Sequence, residues 1–221
     1  HLKRMSRGLK VLKLASPMPI STIPGHITRL LKVNRLKNAR VRVMAWQKGG
    51  RVHAAVLCEP LQAPTAGQYS EGFKAMLTNG HRRNTSEPVK SLDYGIFRES
   101  LQKARAAGFD EALLLNRKGG LVEGSRTNIF LVKDNVLFTP PVAGGCLPGV
   151  TRQVVLARAR KLKLRCAAKA LNARDLFEAD EAFLTNALLG IMPLTSLGQK
   201  QIGTGRPGPV TKQLRKQLTK T

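Results

Sequence analysis

The chain has 221 residues and a formal net charge of +25, with 38 lysines and arginines against 13 acids. Its hydrophobic content of 42% excludes a disordered chain, and its length allows one large domain or two small ones. No apolar run reaches the roughly 18 residues of a membrane span, and no secretory signal pattern is visible, so we expect neither a membrane nor an export route.

The positive charge is distributed over the whole chain rather than concentrated in one segment. Aromatic residues make up only 5% of the sequence, whereas nucleic-acid-binding segments usually combine clustered charge with aromatic side chains. We therefore expect a solvated basic surface that binds polyanions without specificity at low salt and favours anionic substrates. A specific nucleic-acid partner is not predicted.

The three cysteines do not have the spacing of metal ligands. Cys58, Cys146 and Cys166 are odd in number and far apart, which indicates reduced thiols in the core of a cytoplasmic protein. No metal site is predicted.

The first 80 residues predict two helices followed by three strands. Apolar residues at helical spacing, with basic residues between them, predict an amphipathic helix over residues 1–14. A second helix is expected over residues 21–37, with Pro24 in its first turn. Small apolar residues alternate with larger or charged ones before Gly49-Gly50, and a second strand is expected after this turn, which predicts a hairpin. The expected strands are residues 39–47, 52–58 and 72–78, and the polar stretch 79–88 is expected to be a linker or surface loop.

The rest of the chain mixes strands and helices without the regular alternation of a doubly wound sheet. The expected helices are residues 94–108, 150–162, 174–177 and 209–218. The expected strands are residues 111–116, 128–132, 136–139, 164–170 and 181–185. Neither a dinucleotide-binding glycine motif after a strand nor a phosphate-binding P-loop motif is present, which argues against both of those folds. A mixed α/β (α+β) fold is expected.

Several blocks of sequence follow one another in a characteristic order. They are Lys90–Tyr94 (KSLDY), Asp110–Asn116 (DEALLLN), Val122–Phe130 (VEGSRTNIF), Leu147–Arg152 (LPGVTR) and Ala179–Asn186 (ADEAFLTN). Together they resemble the class IV aminotransferases, which are fold-type IV enzymes dependent on pyridoxal 5'-phosphate (PLP).

The resemblance implies a two-domain α/β enzyme, with a small domain over residues 1–84 and a larger cofactor-binding domain over residues 85–221. It also implies a homodimer. His1–Arg4 resembles a family motif that normally lies some tens of residues into the chain, so the family's first strands are expected to be missing here.

The resemblance also assigns the two groups that would hold the ends of the cofactor's ring. Lys90 would bond covalently to the cofactor's aldehyde and move protons, which requires a neutral amine, and burial beside a cation lowers the pKa of a lysine. Glu123 would pair with the ring nitrogen and keep it protonated. Without the resemblance, Lys90 would be interpreted as one more surface lysine among the 38 basic residues.

Further residues are assigned to the phosphate, the ring and the substrate. Free N–H groups at a helix N-terminus suit an anion, although a threonine there can also be an ordinary cap, and Tyr94 can equally serve packing. By the resemblance, Gly149, Val150 and Thr151 form the phosphate-binding turn, and Arg4 is an arginine that reaches the phosphate. Tyr94 would bind the ring oxygen, and Asn186 and Ala187 would make further contacts with the cofactor. Ala187 and Leu188 would bind the substrate's carboxylate.

The stretch Asn186–Leu194 divides the possible functions. Transaminases of the family tend to carry a Gly-Thr or Ser-Thr pair where this chain has the stretch Thr185–Leu194. Its Asn-Ala-Leu run followed by Met-Pro resembles aminodeoxychorismate lyase more closely. We therefore predict a lyase that forms 4-aminobenzoate and pyruvate, a step toward folate. Two alternatives remain open: a branched-chain or D-amino-acid transaminase that uses the same Lys90 and Glu123, and a catalytically inactive basic binding protein.

Overall fold

The computed structural model describes residues 1–81 and 88–219. The chain forms two compact units, one of His1–Ala63 with Val89–Asp93 and one of Pro64–Pro88 with Tyr94–Thr221. The segment that carries Lys90 therefore belongs to the first unit. The predicted boundary between residues 84 and 85 lies outside the described residues and stays a prediction.

The first unit contains two helices and a hairpin, as predicted. Its elements are α1 (Leu2–Val11), a 3-10 turn (Ile20–Thr22), α2 (Ile23–Val33), β1 (Ala39–Lys48) and β2 (Arg51–Pro60). Gly49 and Gly50 connect the strands with φ values of +55° and +74°. Two consecutive residues with positive φ match the right-handed twist of paired strands, which explains the two glycines. The second helix is shorter than the predicted 21–37 at both ends: Ser21 and Thr22 belong to the 3-10 turn, and the helix ends at Val33, two residues before Arg35 with its positive φ of +53°.

The returning segment Val89–Asp93 lies against α1. A Cβ atom added at Gly8 would be 3.2 Å from the Val89 side chain, so a glycine at this position allows close approach. Leu9 and Ile23 are buried in this unit.

The second unit is built around a large mixed sheet. In the described residues its strand order is β5-β4-β3-β10-β9-β6-β7-β8, with β11 paired to β10. β3 is parallel to β4 and β10, β7 is parallel to β8, and the other pairs are antiparallel. Its strands are β3 (Phe73–His81), β4 (Glu111–Leu115), β5 (Leu121–Gly124), β6 (Asn128–Lys133), β7 (Val136–Thr139), β8 (Arg165–Ala168), β9 (Glu181–Asn186), β10 (Gly190–Leu197) and β11 (Lys200–Gln201). Its helices are α3 (Ala66–Glu71), α4 (Gly95–Ala106), α5 (Val150–Lys161), α6 (Ala173–Phe177) and α7 (Pro209–Thr219), with a 3-10 turn at Val142–Gly144.

The sheet is buried on both faces. In β6, Ile129 and Leu131 belong to one apolar cluster, whereas Phe130 and Val132 belong to another that includes residues of α5 and α7. Since successive side chains of a strand point to opposite faces, these clusters occupy the two sides of the sheet. Phe130 stacks on Phe183 of β9 with ring centroids 5.0 Å apart.

Four elements of this unit differ from the predictions. Helix α3 and strands β5, β10 and β11 were not expected. β10 contains Pro193, which disfavours a strand assignment, but β3 pairs with β10 only from Leu194 onward. Pro193 therefore has a strand partner on one side only, where a missing N–H is tolerated. The capping box formed by Thr65 and Gln68 at the start of α3 is visible in the sequence and could have revealed that helix.

The cysteines of the described residues are free thiols. Cys146 is buried, and partial burial raises the pKa of the Cys166 thiol while Arg160 opposes the rise. Within the described ranges, no helix has both the length and the apolar character needed to cross a bilayer.

A buried glutamate of the sheet caps the last helix. Glu181 of β9 accepts hydrogen bonds from the backbone N–H groups of Val210 (2.9 Å) and Thr211 (2.8 Å) at the start of α7. Gly208 makes room for this contact, because a Cβ there would lie 2.0 Å from the Glu181 carboxylate carbon. The charge at the N-terminus also complements the helix dipole.

We expect Glu181→Ala to lower the free energy of unfolding by about 1–3 kcal/mol, because two N–H groups lose their acceptor. Glu181→Gln, which keeps one acceptor, should lose less. Urea denaturation measures both values. The matched control Glu178→Ala removes an exposed ion pair with Arg174 and should cost less than about 0.5 kcal/mol. Equal losses for Glu181→Ala and Glu178→Ala would contradict the capping role.

Candidate active site

The buried carboxylate of Glu123 marks one end of the candidate site. Glu123 lies on β5, opposite Leu114 of β4, and is 4% exposed. Its Oε2 accepts a hydrogen bond from the backbone N–H of Leu147 at 2.8 Å. This bond connects β5 to the loop that leads into α5. Glu123 is thus held out of bulk water.

The loop after Leu147 delivers an uncapped helix N-terminus beside that acid. α5 begins after Gly149, which has no side chain and therefore no side-chain cap. Helices α3 and α6 of this unit are capped by the side chains of Thr65 and Asn172, whereas α4, like α5, has no side-chain cap. The first N–H groups of a helix have no partner within the helix, so those of Val150 and Thr151 suit an anion.

Close packing between β6 and the loop explains why residue 149 is glycine. Asn128 Nδ2 donates to the carbonyl of Leu147 at 2.9 Å. A Cβ atom at Gly149 would lie 1.9 Å from Asn128 Oδ1. The φ of Gly149 is −64°, so the restriction comes from this contact and not from the backbone conformation.

A buried hydroxyl near this turn was not predicted from the sequence. Thr185 of β9 is directly opposite Asn128 of β6, and opposed residues of antiparallel strands share a face of the sheet. The hydroxyl of Thr185 is buried and has no hydrogen-bond partner within the described part of the chain. A buried polar atom without a partner is costly. The Thr185 hydroxyl could therefore accept a hydrogen bond from a ligand, or donate one to it, on the face of the sheet that carries the start of α5.

A second buried carboxylate holds the turn that follows Glu123. Glu111 Oε1 accepts from the N–H groups of Ala112 (2.9 Å) and Ser125 (3.1 Å) and from the Ser125 hydroxyl, while Oε2 accepts from Thr127 Oγ1 at 3.0 Å. Arg126 Nε lies 3.7 Å from Oε2. These donors hold the β5–β6 turn and thereby the end of the strand that carries Glu123. The sequence marked Glu111 only as the start of a strand.

The hairpin between β9 and β10 is fixed by its own side chains. Asn186 Oδ1 accepts from the N–H groups of Leu188 (2.8 Å) and Leu189 (2.7 Å), and its Nδ2 donates to the carbonyl of Arg126 at 3.2 Å. The Tyr69 hydroxyl donates to the carbonyl of Leu189 at 2.7 Å. Burial raises the pKa of Tyr69, and Arg215, stacked 3.6 Å from its ring, opposes the rise.

This arrangement changes the interpretation of residues 186–188. The side chain of Asn186 organises the loop, and the N–H of Leu188, expected to be available to a substrate carboxylate, already donates to Asn186. Ala187 and Leu188 are exposed at the tip of the hairpin.

The remaining predicted residues are divided between the two units. Lys90 lies on the Val89–Asp93 segment of the first unit and its side chain is exposed, whereas a buried lysine was expected. Arg4 lies on α1 of the same unit, four residues before Gly8, and residues four apart share a face of a helix. The face of α1 that carries Arg4 is therefore the one that contacts Val89. Tyr94, in the second unit, is the residue before α4 and is 37% exposed.

The chain is similar to known proteins over nearly its whole length. The family model for amino-transferase class IV matches residues 1–197. A putative branched-chain-amino-acid aminotransferase of Methanocaldococcus jannaschii is 31% identical over 233 residues, which cover 99% of this chain and 79% of the relative. A D-alanine aminotransferase of Bacillus licheniformis is 35% identical over 161 residues, which cover 72% and 55%. The crystal structure of the Thermoproteus uzoniensis branched-chain aminotransferase with norvaline matches with a TM-score of 0.91 at 27% identity, covering 100% of this chain and 77% of that one.

The chain belongs to the class IV aminotransferase family. It is a PLP-dependent enzyme of mixed α/β fold, as predicted, and other solved structures similar to it contain PLP or pyridoxamine 5'-phosphate. The site of the second unit fits this cofactor: a buried carboxylate suits a ring nitrogen, and the uncapped start of α5 with the unpartnered Thr185 hydroxyl suits a phosphate.

The predicted lyase branch is not supported by these relatives, which favour the transaminase alternative instead. The physical reason lies in Asn186, whose residue type suggested the lyase. Its hydrogen bonds to Leu188, Leu189 and Arg126 account for an asparagine at this position through loop geometry. The motif therefore does not distinguish the two reactions.

We expect Gly149→Ala to displace the Asn128 side chain and to disturb the loop that carries the Leu147 N–H. The free energy of unfolding should fall by about 1–3 kcal/mol, and the affinity for PLP should fall with it. Urea denaturation and cofactor titration measure the two effects.

Two further variants distinguish the clash from a general effect of alanine. Gly144→Ala adds the same methyl group in the same loop at an ordinary 3.4 Å contact and should be tolerated. Gly149→Ala combined with Asn128→Ala removes the clashing oxygen, so the loss caused by Gly149→Ala should be partly recovered. No recovery in the double variant would contradict the explanation.

Proposed function

We propose that this enzyme transfers the amino group of a branched-chain amino acid to a 2-oxo acid. The observation that carries the proposal is the Glu123–Leu147 hydrogen bond, which joins a buried acid to the loop before a helix start that suits an anion. The names of the relatives support the substrate class. The homodimer implied by the sequence resemblance is part of the proposal.

Glu123 and the start of α5 would hold the two ends of the cofactor. When bound, PLP supplies an electron sink for the electron pair left on the amino acid's α-carbon when its proton is removed. The Glu123 carboxylate would accept a hydrogen bond from the ring nitrogen and favour its protonated form. The N–H groups of Val150 and Thr151 and the hydroxyls of Thr151 and Thr185 would bind the phosphate.

Lys90 would provide the amine that the reaction requires, and the ordered sequence blocks support this assignment. Its Nζ would hold the aldehyde carbon covalently until the substrate's amine displaces it. The freed amine would then accept the proton from the substrate's α-carbon and donate a proton again later in the reaction. Arg4 would add a guanidinium to the phosphate, and Tyr94 a hydroxyl to the ring oxygen.

The hairpin of residues 186–190 would position the substrate rather than take part in proton transfer. Its backbone is fixed by Asn186 and Tyr69, so the exposed Ala187 and Leu188 would be presented in one conformation. A preorganised loop lowers the entropy lost when a substrate binds. This supports a role for Ala187 in contacting the substrate or the cofactor.

The PLP-loaded chain should convert L-leucine, L-isoleucine or L-valine only when a 2-oxo acid such as 2-oxoglutarate is present. The measurement is the formation of glutamate and of the branched 2-oxo acid. Turnover of D-alanine but not of the L-amino acids would assign the alternative D-amino-acid specificity. Release of pyruvate from 4-amino-4-deoxychorismate without any 2-oxo acid would reject transamination and support the lyase.

Lys90→Ala should lower turnover by roughly 10²–10⁴-fold, because the amine that bonds to the aldehyde and moves the proton is lost. Borohydride treatment followed by peptide mass mapping should find the cofactor fixed to Lys90 in the unaltered chain. Lys118→Ala, which removes an exposed lysine from the β4–β5 turn, is the matched control and should retain activity. Fixation at another lysine would contradict the assignment.

A further inference from the structure

The last helix of the second unit, α7, reaches the hairpin that carries Ala187 and Leu188. A Cβ atom added at Gly190, where the hairpin turn ends with a φ of +61°, would lie 3.3 Å from the Leu218 side chain of α7. None of the residues assigned to the cofactor or the substrate lies on α7. The proposed reaction therefore does not explain why this helix contacts the hairpin.

The backbone of Leu189 is held by two side chains. Its N–H donates to Asn186 Oδ1 at 2.7 Å, and its carbonyl accepts from the Tyr69 hydroxyl, also at 2.7 Å. Asn186 belongs to the hairpin itself, whereas Tyr69 lies 120 residues away on α3. The position of the hairpin against α3 therefore depends on one hydroxyl.

Helix α3 is anchored to the strand that leaves the hairpin. Thr195 Oγ1 of β10 donates to the carbonyl of Glu71, the last residue of α3, at 3.1 Å. Gly72 leaves room for this contact, because a Cβ atom there would lie 2.5 Å from the Thr195 methyl carbon. Tyr69 thus projects from a short helix whose end is fixed to the sheet.

The ring of Tyr69 is covered by Arg215 of α7. The central carbon of the guanidinium lies 3.6 Å from the ring centroid, which is a cation–π contact. A planar guanidinium stacked on one face of the ring restricts its movement and keeps the hydroxyl directed at Leu189. Since α7 begins on the buried Glu181 carboxylate, Arg215 itself projects from a helix that is held at its start.

We propose that Tyr69 and Arg215 are positioning residues that set the affinity for the amino-acid substrate through the hairpin of residues 186–190. The inference rests on the proposed function, in which this hairpin positions the substrate. With its carbonyl held, the hairpin is already in place when the substrate arrives, so less entropy is lost on binding. Without the Tyr69 hydroxyl, the hairpin would have to be ordered during binding, and the substrate would bind more weakly.

Tyr69→Phe removes only the hydroxyl. In the PLP-loaded chain with L-leucine and 2-oxoglutarate, it should raise the KM for L-leucine about two- to tenfold, as expected for one hydrogen bond, while kcat changes by less than about twofold. Ser70→Ala is the matched control, since it removes a hydroxyl of the same helix that donates to the carbonyl of Gly67, and it should leave KM unchanged. A purely structural role of Tyr69 would lower stability or kcat without this selective change in KM.

Arg215→Ala should raise KM by about two- to fivefold, because it loosens the ring without removing the hydroxyl. Lys212→Ala removes an exposed cation from the same helix and should leave KM unchanged. Because Arg215 acts through Tyr69, Arg215→Ala should add nothing in the Tyr69→Phe background, where the hydroxyl is already absent. Additive increases in KM would contradict this route.

Hydrogen–deuterium exchange of the PLP-loaded chain gives a result that does not depend on turnover. Tyr69→Phe should accelerate exchange of the Leu188 and Leu189 N–H groups about two- to tenfold, whereas Ser70→Ala should not. An active Tyr69→Phe variant with an unchanged KM would overturn the inference, and faster exchange in it would show that the hairpin moves without affecting substrate binding.

The failure of this inference and the failure of the proposed function give different results. If the unaltered chain converts D-alanine but no branched-chain amino acid, the proposed substrate class is wrong, and the KM for D-alanine becomes the quantity that Tyr69→Phe should raise. If the unaltered chain converts L-leucine and Tyr69→Phe does so with the same KM, the proposed function stands and the positioning role is wrong.

Discussion

The hydrogen bond between Glu123 and the Leu147 N–H is the constraint on which the rest of the site depends. A buried carboxylate is costly without donors, and here one donor comes from the loop that enters α5. The acid therefore cannot move without moving the turn at Gly149. In a cofactor with a ring nitrogen at one end and a phosphate at the other, this connection would fix the distance between the two groups that hold it.

The neighbouring interactions all serve to keep this connection in place. Glu111 holds the turn after β5, and Asn128 holds the carbonyl of Leu147. On the far side of the loop, the buried Arg152 of α5 donates from Nη2 to the carbonyl of Pro140 at 2.9 Å and from Nε to Thr139 Oγ1 at 3.3 Å. Side-chain hydrogen bonds thus connect strands β5, β6 and β7 to this loop and to the start of α5. Rigid support of this kind is what gives a site its geometry.

Local signals in the sequence were sufficient to place a helix or strand where its segment follows a single pattern. The hairpin at Gly49-Gly50 and strand β7 were predicted almost to the residue, because turn chemistry and alternation agree there. Strand β5 was missed because it has only four residues and one of them is the charged Glu123. Strand β10 was missed because it contains Pro193, and proline disfavours a strand assignment. Both depend on partners that are distant in sequence.

The residues proposed for the site likewise fall into those that the sequence indicates and those that only the structure reveals. Glu123, Gly149 and Thr151 could be proposed from the sequence because they belong to contiguous blocks. Glu111 and Thr185 could not, since their importance comes from what lies opposite them across the sheet. Asn186 was recognised as significant, but the structure was needed to show that its side chain serves the loop.

The most direct test of the account is a crystal structure of the full chain grown with PLP. We predict that the ring nitrogen lies within about 2.7–3.2 Å of a Glu123 carboxylate oxygen, with the phosphate on the N–H groups of Val150 and Thr151 and the aldehyde carbon bonded to Lys90 Nζ. A cofactor bound with its phosphate away from the start of α5, or with Lys90 directed into solvent, would contradict it.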